Sequence, residues 1–244
     1  MAVRPRQVEI YERLSQYYDT DWGRYAGQYV DMLLGYLAAD NLKPAKILDL
    51  ACGTGNLAMG LANNGHIVHG VDLSPAMIDH ARYKTADMRN ISFELHDMTR
   101  FRVSDTYDVV TCTFDSINYV RNLTALRGML RRVRNSLTPR GLFVFDSNTA
   151  RLYAKHHSGV LERTIDGDLI IQRLSFEPQK NLARTVFEFP DGEVEEHLQR
   201  PYDLPELKPL LEGADLRVLE TRSHFDGTPF TSKSERLICT AGRS

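Results

Sequence analysis

The chain has 244 residues, 42% of them apolar, which is enough to bury the core of one fair-sized domain or two small ones and excludes a disordered chain. Thirty Lys and Arg against 32 Asp and Glu leave a formal charge of −2, without the positive excess that accompanies polyanion binding. The opening MAVRPRQVEI lacks the apolar stretch of a secretory signal and no apolar run approaches the roughly 18 residues of a membrane span, so a cytoplasmic protein without membrane contact is expected.

Residues 4–39 read as two helices, the first carrying Val8, Tyr11, Leu14 and Tyr18 and the second Tyr29, Met32, Leu33 and Leu37, together a helical cap over 1–42. From Ile47 to Asn148 short β-branched runs alternate with longer helical patterns, the rhythm of βαβ units and a parallel sheet. Strands are expected at 46–50, 67–71, 91–95, 107–113 and 141–146. Ser74 followed by Pro75 reads as an N-cap and first-turn proline, and Leu123, Leu126, Leu130, Val133 and Leu137 make one buried helix face over 122–137. The segment 43–150 is thus the expected core of an α/β sandwich.

Beyond it, turn signals at Asp166-Gly167, 177–181 and 190–192 separate consecutive strands, an antiparallel β insertion over 151–202. Asp203 with Glu206 three residues on has capping-box spacing and opens a helix ending at Gly213. Two strands, about 216–224 and 232–241, complete the sheet in the segment 203–244. Cys52, Cys112 and Cys239 lie far apart among apolar neighbours, which fits buried free thiols in a reducing compartment rather than disulfides or a zinc site.

Chemistry concentrates in Ile47-Leu48-Asp49-Leu50-Ala51-Cys52-Gly53-Thr54-Gly55-Asn56-Leu57-Ala58, a strand running through a glycine turn into a helix, where backbone can approach a ligand closely. Read as G-x-G-x-x-A, it also fits a dinucleotide-binding turn. Asp49 discriminates: a carboxylate at the strand end repels a pyrophosphate and suits a ligand bearing an ammonium and a sulfonium. Asp72 ends the next strand and has the acceptor capacity for two ribose hydroxyls, a feature common to both cofactors. Asp97 ends the third strand, where it would accept from an adenine amino group while Met98 packs on the ring.

These residues, with VDLSPAMI, HDM, YDVVTCTFDSINYV and LTPRGLFVFD in order, resemble the class I S-adenosylmethionine-dependent methyltransferases over nearly the whole chain. The resemblance implies a Rossmann-like three-layer sandwich with a seven-stranded, mostly parallel sheet whose last strand is antiparallel. It implies S-adenosylmethionine as cofactor, with Ala51, Gly53 and Gly55 along its methionine part, Asp72 on the ribose, Asp97 and Met98 at adenine and Phe114 beside the transferred methyl. Tyr18, Arg24, Asn56, Leu73 and Met77 complete the expected cofactor set, Arg24 pairing with the cofactor carboxylate. The β insertion, HLQRPYDLPELKPLLEGADLRVLE and the final SERLICTA are similar in layout to bacterial small-molecule methyltransferases, amino-sugar N,N-dimethyltransferases among them. An Asn-Pro-Pro-Tyr type motif is missing after the fourth strand, where Phe114-Asp115-Ser116-Ile117 stands, which opposes amide N-methylation of adenine or glutamine.

The expected reaction is methyl transfer to an N or O nucleophile of a small metabolite, with Asp115, Asn118, Tyr119 and His197 lining the acceptor pocket. No residue is assigned as catalyst, and the isolated His66 and His69 give no metal site. Six arginines between 121 and 140 make an RNA methyltransferase the first alternative, opposed by the net charge and by the absence of interleaved aromatic residues. A non-catalytic S-adenosylmethionine-binding regulator is the second. For the insertion two roles stand side by side, a lid over the acceptor or a homodimer surface.

Overall fold

The computed structural model describes residues 6–39 and 42–244. The chain enters as a two-residue strand, β1 (Arg6–Gln7), and only Ser15–Asp21 of the first expected helix is helical, α1. Tyr11 takes a left-handed φ of 63°, and the amides of Tyr11, Arg13 and Leu14 donate to the Glu195 carboxylate. A distant acceptor thus claims the amides that a helix starting near Val8 would need, so the helix begins about two turns later, at Ser15. The second helix, α2 (Ala26–Ala39), buries Tyr29, Leu33 and Leu37 at three- and four-residue spacing.

The central sheet contains β2 (Lys46–Leu50), β3 (Ile67–Asp72), β4 (Ile91–Leu95), β5 (Tyr107–Cys112) and β6 (Leu137–Asn148), all parallel. Successive residues of β2 serve opposite faces, as the pleat requires. Leu48 joins Leu126, Leu130, Leu207 and Leu211 in one apolar layer, and Ile47 joins Leu33, Leu57, Leu61 and Ile78 in the other. Those residues come from helices α2, α3 (Asn56–Asn63), α4 (Pro75–Lys84) and α5 (Leu123–Ser136), and from the last helix below. The Ser74 hydroxyl caps α4 by accepting from Met77 N, and Asn122 caps α5 by accepting from two amides.

A short helix that the sequence pattern does not announce, α6 (Ala150–His156), leads into the insertion. There β7 (Gly159–Ile165), β8 (Asp168–Glu177), β9 (Leu182–Glu188) and β10 (Glu193–Gln199) form an antiparallel meander, with β1 parallel to β10 at its edge. Asp166 and Gly167 both have positive φ, the two-residue hairpin turn expected of that pair.

The chain closes with α7 (Leu204–Glu212), β11 (Leu216–Arg222) and β12 (Arg236–Arg243). The expected capping box does not form: Asp203 makes no side-chain cap bond, and Glu206 takes a two-point pair with Arg200 at 2.6 and 2.9 Å instead. The last two strands are also shorter than expected, because residues 223–235 form a loop. The seven-stranded order is β11-β12-β6-β5-β2-β3-β4, with β12 antiparallel to its neighbours, and the strand order reverses between β2 and β5.

Candidate active site

In an open α/β sheet, ligands bind beyond the carboxyl ends of the strands where the order reverses. Here that point is the end of β2 and β5, and a cavity of about 290 Å³ opens there. Asp49 is buried on β2 with its Oδ1 accepting from Thr111 Oγ1 on β5 at 2.6 Å, while Oδ2 has no partner. Burial pushes the Asp49 carboxyl up to about 7, against the Thr111 bond and with help from the charge of Asp72. Ala51 and Gly53 turn the chain with positive φ, and Asp72 at the end of β3 accepts from Gly53 N at 2.8 Å and Ser74 N at 2.9 Å. Burial raises the Asp72 carboxyl as well, opposed by those amides and by that of Leu73.

Of the residues expected around a cofactor, Tyr18, Asp49, Ala51, Gly53, Asn56, Asp72, Leu73, Met77, Asp97, Met98 and Phe114 all line this cavity. Gly55 does not: it stands behind the wall, where an added Cβ would come 2.8 Å from the Phe93 ring. Asn56 lines the wall with its amide already engaged, donating to Asp19 at 2.8 Å and accepting from Lys84 at 2.5 Å. Asp97 accepts from the Thr99 amide and hydroxyl, both at 2.7 Å, through one oxygen. The Arg24 side chain lies outside the described residues.

A second, larger cavity of about 1050 Å³ shares Tyr11, Tyr18, Phe114 and Tyr119 with the first. Its other walls come from β9 and β10, which contribute Thr185, Phe187, His197 and Gln199, and from the 223–235 loop. These strand residues alternate along β9 and β10, so one face of the inserted sheet is turned toward the core. Asp115 lies on this cavity with Oδ2 accepting from Gln199 Nε2 at 2.6 Å and Oδ1 3.5 Å from Arg236. Burial pushes the Asp115 carboxyl up to about 6, offset by Arg236.

Asn118 lines neither cavity. Its side chain joins three backbone groups, donating to Asn148 O and Arg200 O and accepting from Asn148 N, so its position is structural. Tyr119 and His197 meet directly, Tyr119 Oη lying 2.9 Å from His197 Nδ1, and Tyr11 Oη lies 2.8 Å from Tyr119 Oη. Sequence reasoning missed Tyr11, Gln199 and Arg236. Arg236 lies 3.4 Å from Asp146 and 3.1 Å from the Tyr29 hydroxyl; burial works against its charge, but Asp146, Tyr29 and Asp115 hold its proton. Alternation along β10 would have pointed to Gln199 two residues after His197; no local signal marks Arg236.

A sequence profile described as a methyltransferase domain matches residues 47–141. A protein of Geobacillus sp. (strain WCH70), provisionally named a methyltransferase, is 30% identical over 80% of this chain and 83% of its own length. A Streptomyces fradiae dTDP-3-amino-3,6-dideoxy-alpha-D-glucopyranose N,N-dimethyltransferase is 31% identical over 57% of this chain and 52% of its own length. The crystal structure of an S-adenosylmethionine-dependent methyltransferase from Clostridium acetobutylicum superposes with a TM-score of 0.85 over 96% of this chain and 99% of that one, at 24% identity, a likeness of fold. With the glycine turn, the seven-stranded order and a relative matched across four fifths of its length, the chain belongs to the class I S-adenosylmethionine-dependent methyltransferases.

Proposed function

We propose that this methyltransferase acts on a nitrogen or oxygen of a small metabolite held in the larger cavity, beside the cofactor in the smaller one. The observation that carries the reading is the common wall of Tyr11, Tyr18, Phe114 and Tyr119, which brings two ligand-sized spaces together at the strand ends.

S-adenosylmethionine suits the smaller cavity on chemical grounds. The free Asp49 oxygen is a buried acceptor in want of a cation, and an ammonium group supplies one. Asp72 would take the ribose hydroxyls with the lone pairs its two amide bonds leave, and Asp97 and Met98 would hold adenine. When bound, the cofactor supplies a methyl group on a positively charged sulfur. The chain's part is to orient the nucleophile in line with that group and to exclude water, and positioning of this kind contributes about 7 to 11 kcal/mol. Tyr11, Tyr18, Phe114 and Tyr119 perform the exclusion from the shared wall.

On this reading residues 43–150 and 203–244 form the cofactor-binding core, 1–42 the cap, and 151–202 an acceptor wall rather than chiefly a dimer surface. Support comes from Thr185, Phe187, His197 and Gln199, which the inserted sheet turns into the larger cavity. The amino-sugar dimethyltransferase relative favours nitrogen as the acceptor.

The test is calorimetric titration with S-adenosylhomocysteine, with NADH as control, followed by transfer of labelled methyl to panels of amines, amino sugars and hydroxylated metabolites. Micromolar binding and turnover of one panel support the reading. Binding of NADH and not of S-adenosylhomocysteine overturns it, and salt-sensitive binding of bulk tRNA would move the acceptor to RNA.

A further inference from the structure

The larger cavity ends in a chain of hydrogen bonds that methyl-donor binding does not use. Tyr11 Oη lies 2.8 Å from Tyr119 Oη, which lies 2.9 Å from His197 Nδ1, and His197 Nε2 lies 3.2 Å from Glu195 Oε2. Glu195 is fully buried, and His197 is 3% exposed. The first two hydroxyls stand where the two cavities meet, and the last two groups stand behind them on one face of β10.

The direction of this chain follows from its far end. Glu195 Oε1 accepts from the amides of Arg13 and Leu14, and Oε2 accepts from the amide of Tyr11. Amide protons are fixed donors, so the carboxylate is an acceptor on both oxygens and calls for a donor from His197 as well. That places the imidazole proton on Nε2 and leaves Nδ1 as a lone pair aimed at the Tyr119 hydroxyl. An imidazole oriented by a buried carboxylate, with its other nitrogen on a hydroxyl, is the arrangement by which hydroxyl protons are removed in triads.

We propose that Tyr119, with His197 and Glu195 behind it, receives the proton that the acceptor heteroatom loses. The inference rests on the methyl-transfer reading and narrows its acceptor to a group with a dissociable proton, a hydroxyl or a primary or secondary amine. A thioether or a tertiary amine has no proton to give. As the acceptor gains a bond to carbon, its proton passes to Tyr119 Oη, and the Tyr119 proton passes to His197 Nδ1. The positive charge that methyl transfer leaves on the acceptor thereby comes to rest as imidazolium beside Glu195. Burial raises the Tyr119 hydroxyl well above its ordinary value, as do the charges of Asp115, Tyr18 and Glu195, so Tyr119 hands its proton on rather than waiting as a phenolate. Tyr119 is the catalytic residue in this scheme, while His197 and Glu195 act through it.

The groups that face the relay come from every neighbouring element. The entry segment gives Tyr11, which α1 backs with Tyr18; the turn after β5 gives Tyr119 and Asp115; β10 gives Glu195; and β12 gives Arg236 behind Asp115. From β9, Phe187 packs on the imidazole edge and Thr185 is its register partner, neither ionisable. Asp115 is the rival proton acceptor, but Gln199 and Arg236 already occupy its oxygens.

The relay is tested on the whole protein labelled with nitrogen-15 histidine, with S-adenosylhomocysteine as probe of the cofactor cavity. At neutral pH the His197 resonances are expected to report the Nε2–H tautomer with Nδ1 accepting a hydrogen bond. Tyr119→Phe keeps the ring, removes that bond and moves the Nδ1 resonance, and Glu195→Gln, which alters the partner 3.2 Å from Nε2, moves the Nε2 resonance. An Nδ1–H tautomer, or an Nδ1 resonance indifferent to Tyr119→Phe, overturns the proposal even if Glu195→Gln fails to fold. With an acceptor from the panels, Tyr119→Phe lowers kcat by about 10²- to 10⁴-fold. S-adenosylhomocysteine affinity stays within about twofold, as expected of a group that moves a proton rather than one that holds the cofactor. A kcat unchanged by Tyr119→Phe overturns the proposal too. Failure of the unaltered protein to bind S-adenosylhomocysteine removes the methyl-transfer reading instead, and the tautomer reports separately.

Discussion

The Thr111 hydroxyl donates to Asp49 at 2.6 Å and leaves the second Asp49 oxygen buried without a partner. A raised carboxyl and an ionised one differ in their use for a cation, so ligand affinity depends on pH. With Asp49 at about 7, S-adenosylhomocysteine affinity is expected to rise about tenfold per pH unit below neutrality and to flatten above it. Asp49→Asn removes that dependence. The sign for stability is opposite: a carboxyl raised by burial costs stability as pH climbs from the ordinary carboxylate range through the raised value. Asp49→Asn therefore stabilises the ligand-free protein at pH 8, by about 1 to 3 kcal/mol, and leaves it little changed at pH 4. Calorimetry and thermal melts at both pH values check the pair; equal pH slopes in the two proteins would remove Asp49 from the site.

Asp72 has two tasks that one substitution separates. Its oxygens fix the amides of Gly53 and Ser74, so Asp72→Ala leaves two donors without their acceptor, at about 1 to 3 kcal/mol each if they stay buried. Both the melting temperature and S-adenosylhomocysteine affinity are expected to fall, the latter by at least about tenfold, one good charged hydrogen bond. An unchanged melting temperature with lost binding would show that Asp72 serves the ligand alone.

Two glycines of the same turn differ in kind. At Gly55 an added Cβ meets Phe93 at 2.8 Å and Ala81 at 3.0 Å on a φ of +79°, whereas at Gly53 the nearest atom is Met77 Sδ at 4.0 Å on a φ of +55°. Gly55→Ala combines a left-handed backbone with overpacking and is expected to lose about 2 to 4 kcal/mol. Gly53→Ala pays only the backbone term, about 1 to 2 kcal/mol, and instead narrows the cavity. Adding Phe93→Leu restores part of the Gly55→Ala loss and none of the Gly53→Ala loss, which denaturant melts would read directly.

What the sequence disclosed follows the range of the interactions. β2 and β4 fall at the expected residues, and Ser74 caps α4, because apolar alternation and a cap are written within a few positions. Asp49, Asp72 and Asp97 were legible as strand-end carboxylates for the same reason. The Glu195 bonds to the Tyr11, Arg13 and Leu14 amides span more than 180 positions, and no local period announces them. They shorten α1 and set the Tyr11 hydroxyl on the cavity wall. Arg236 reaches Asp115 in the same unannounced way, and the two ends of the loop 223–235 that walls the larger cavity, 223–224 and 232–235, read in sequence as strand.

A last long-range contact ties α1 to the wall of the smaller cavity. Asp19 on α1 accepts from Thr54 Oγ1 at 2.5 Å, Asn56 Nδ2 at 2.8 Å and Lys84 Nζ at 2.6 Å, joining α1 to the glycine turn and to α4. On its other side α1 is tied to the β7–β8 hairpin, Tyr17 donating to Asp168 and Thr20 to Asp166. Burial opposes the Asp19 charge, but the bonds from Lys84, Thr54 and Asn56 outweigh it and hold the carboxyl below its ordinary value. A lowered carboxyl contributes stability that is present above the ordinary range near 4 and lost as pH falls through the lowered value, so the clasp holds at neutral pH and opens in acid. Because Asp19 is partly exposed, Asp19→Ala is expected to change global stability by about 1 kcal/mol or less. Its larger effect is local: amide exchange over 53–56 speeds up and S-adenosylhomocysteine binds about three- to tenfold more weakly, a loss of about 1 kcal/mol in a positioned loop. Exchange measured by mass spectrometry, with Asp21→Ala as a neighbouring control on the same helix, tests this; equal exchange over 53–56 in Asp19→Ala and the unaltered protein would mean that α1 rests on the turn without holding it.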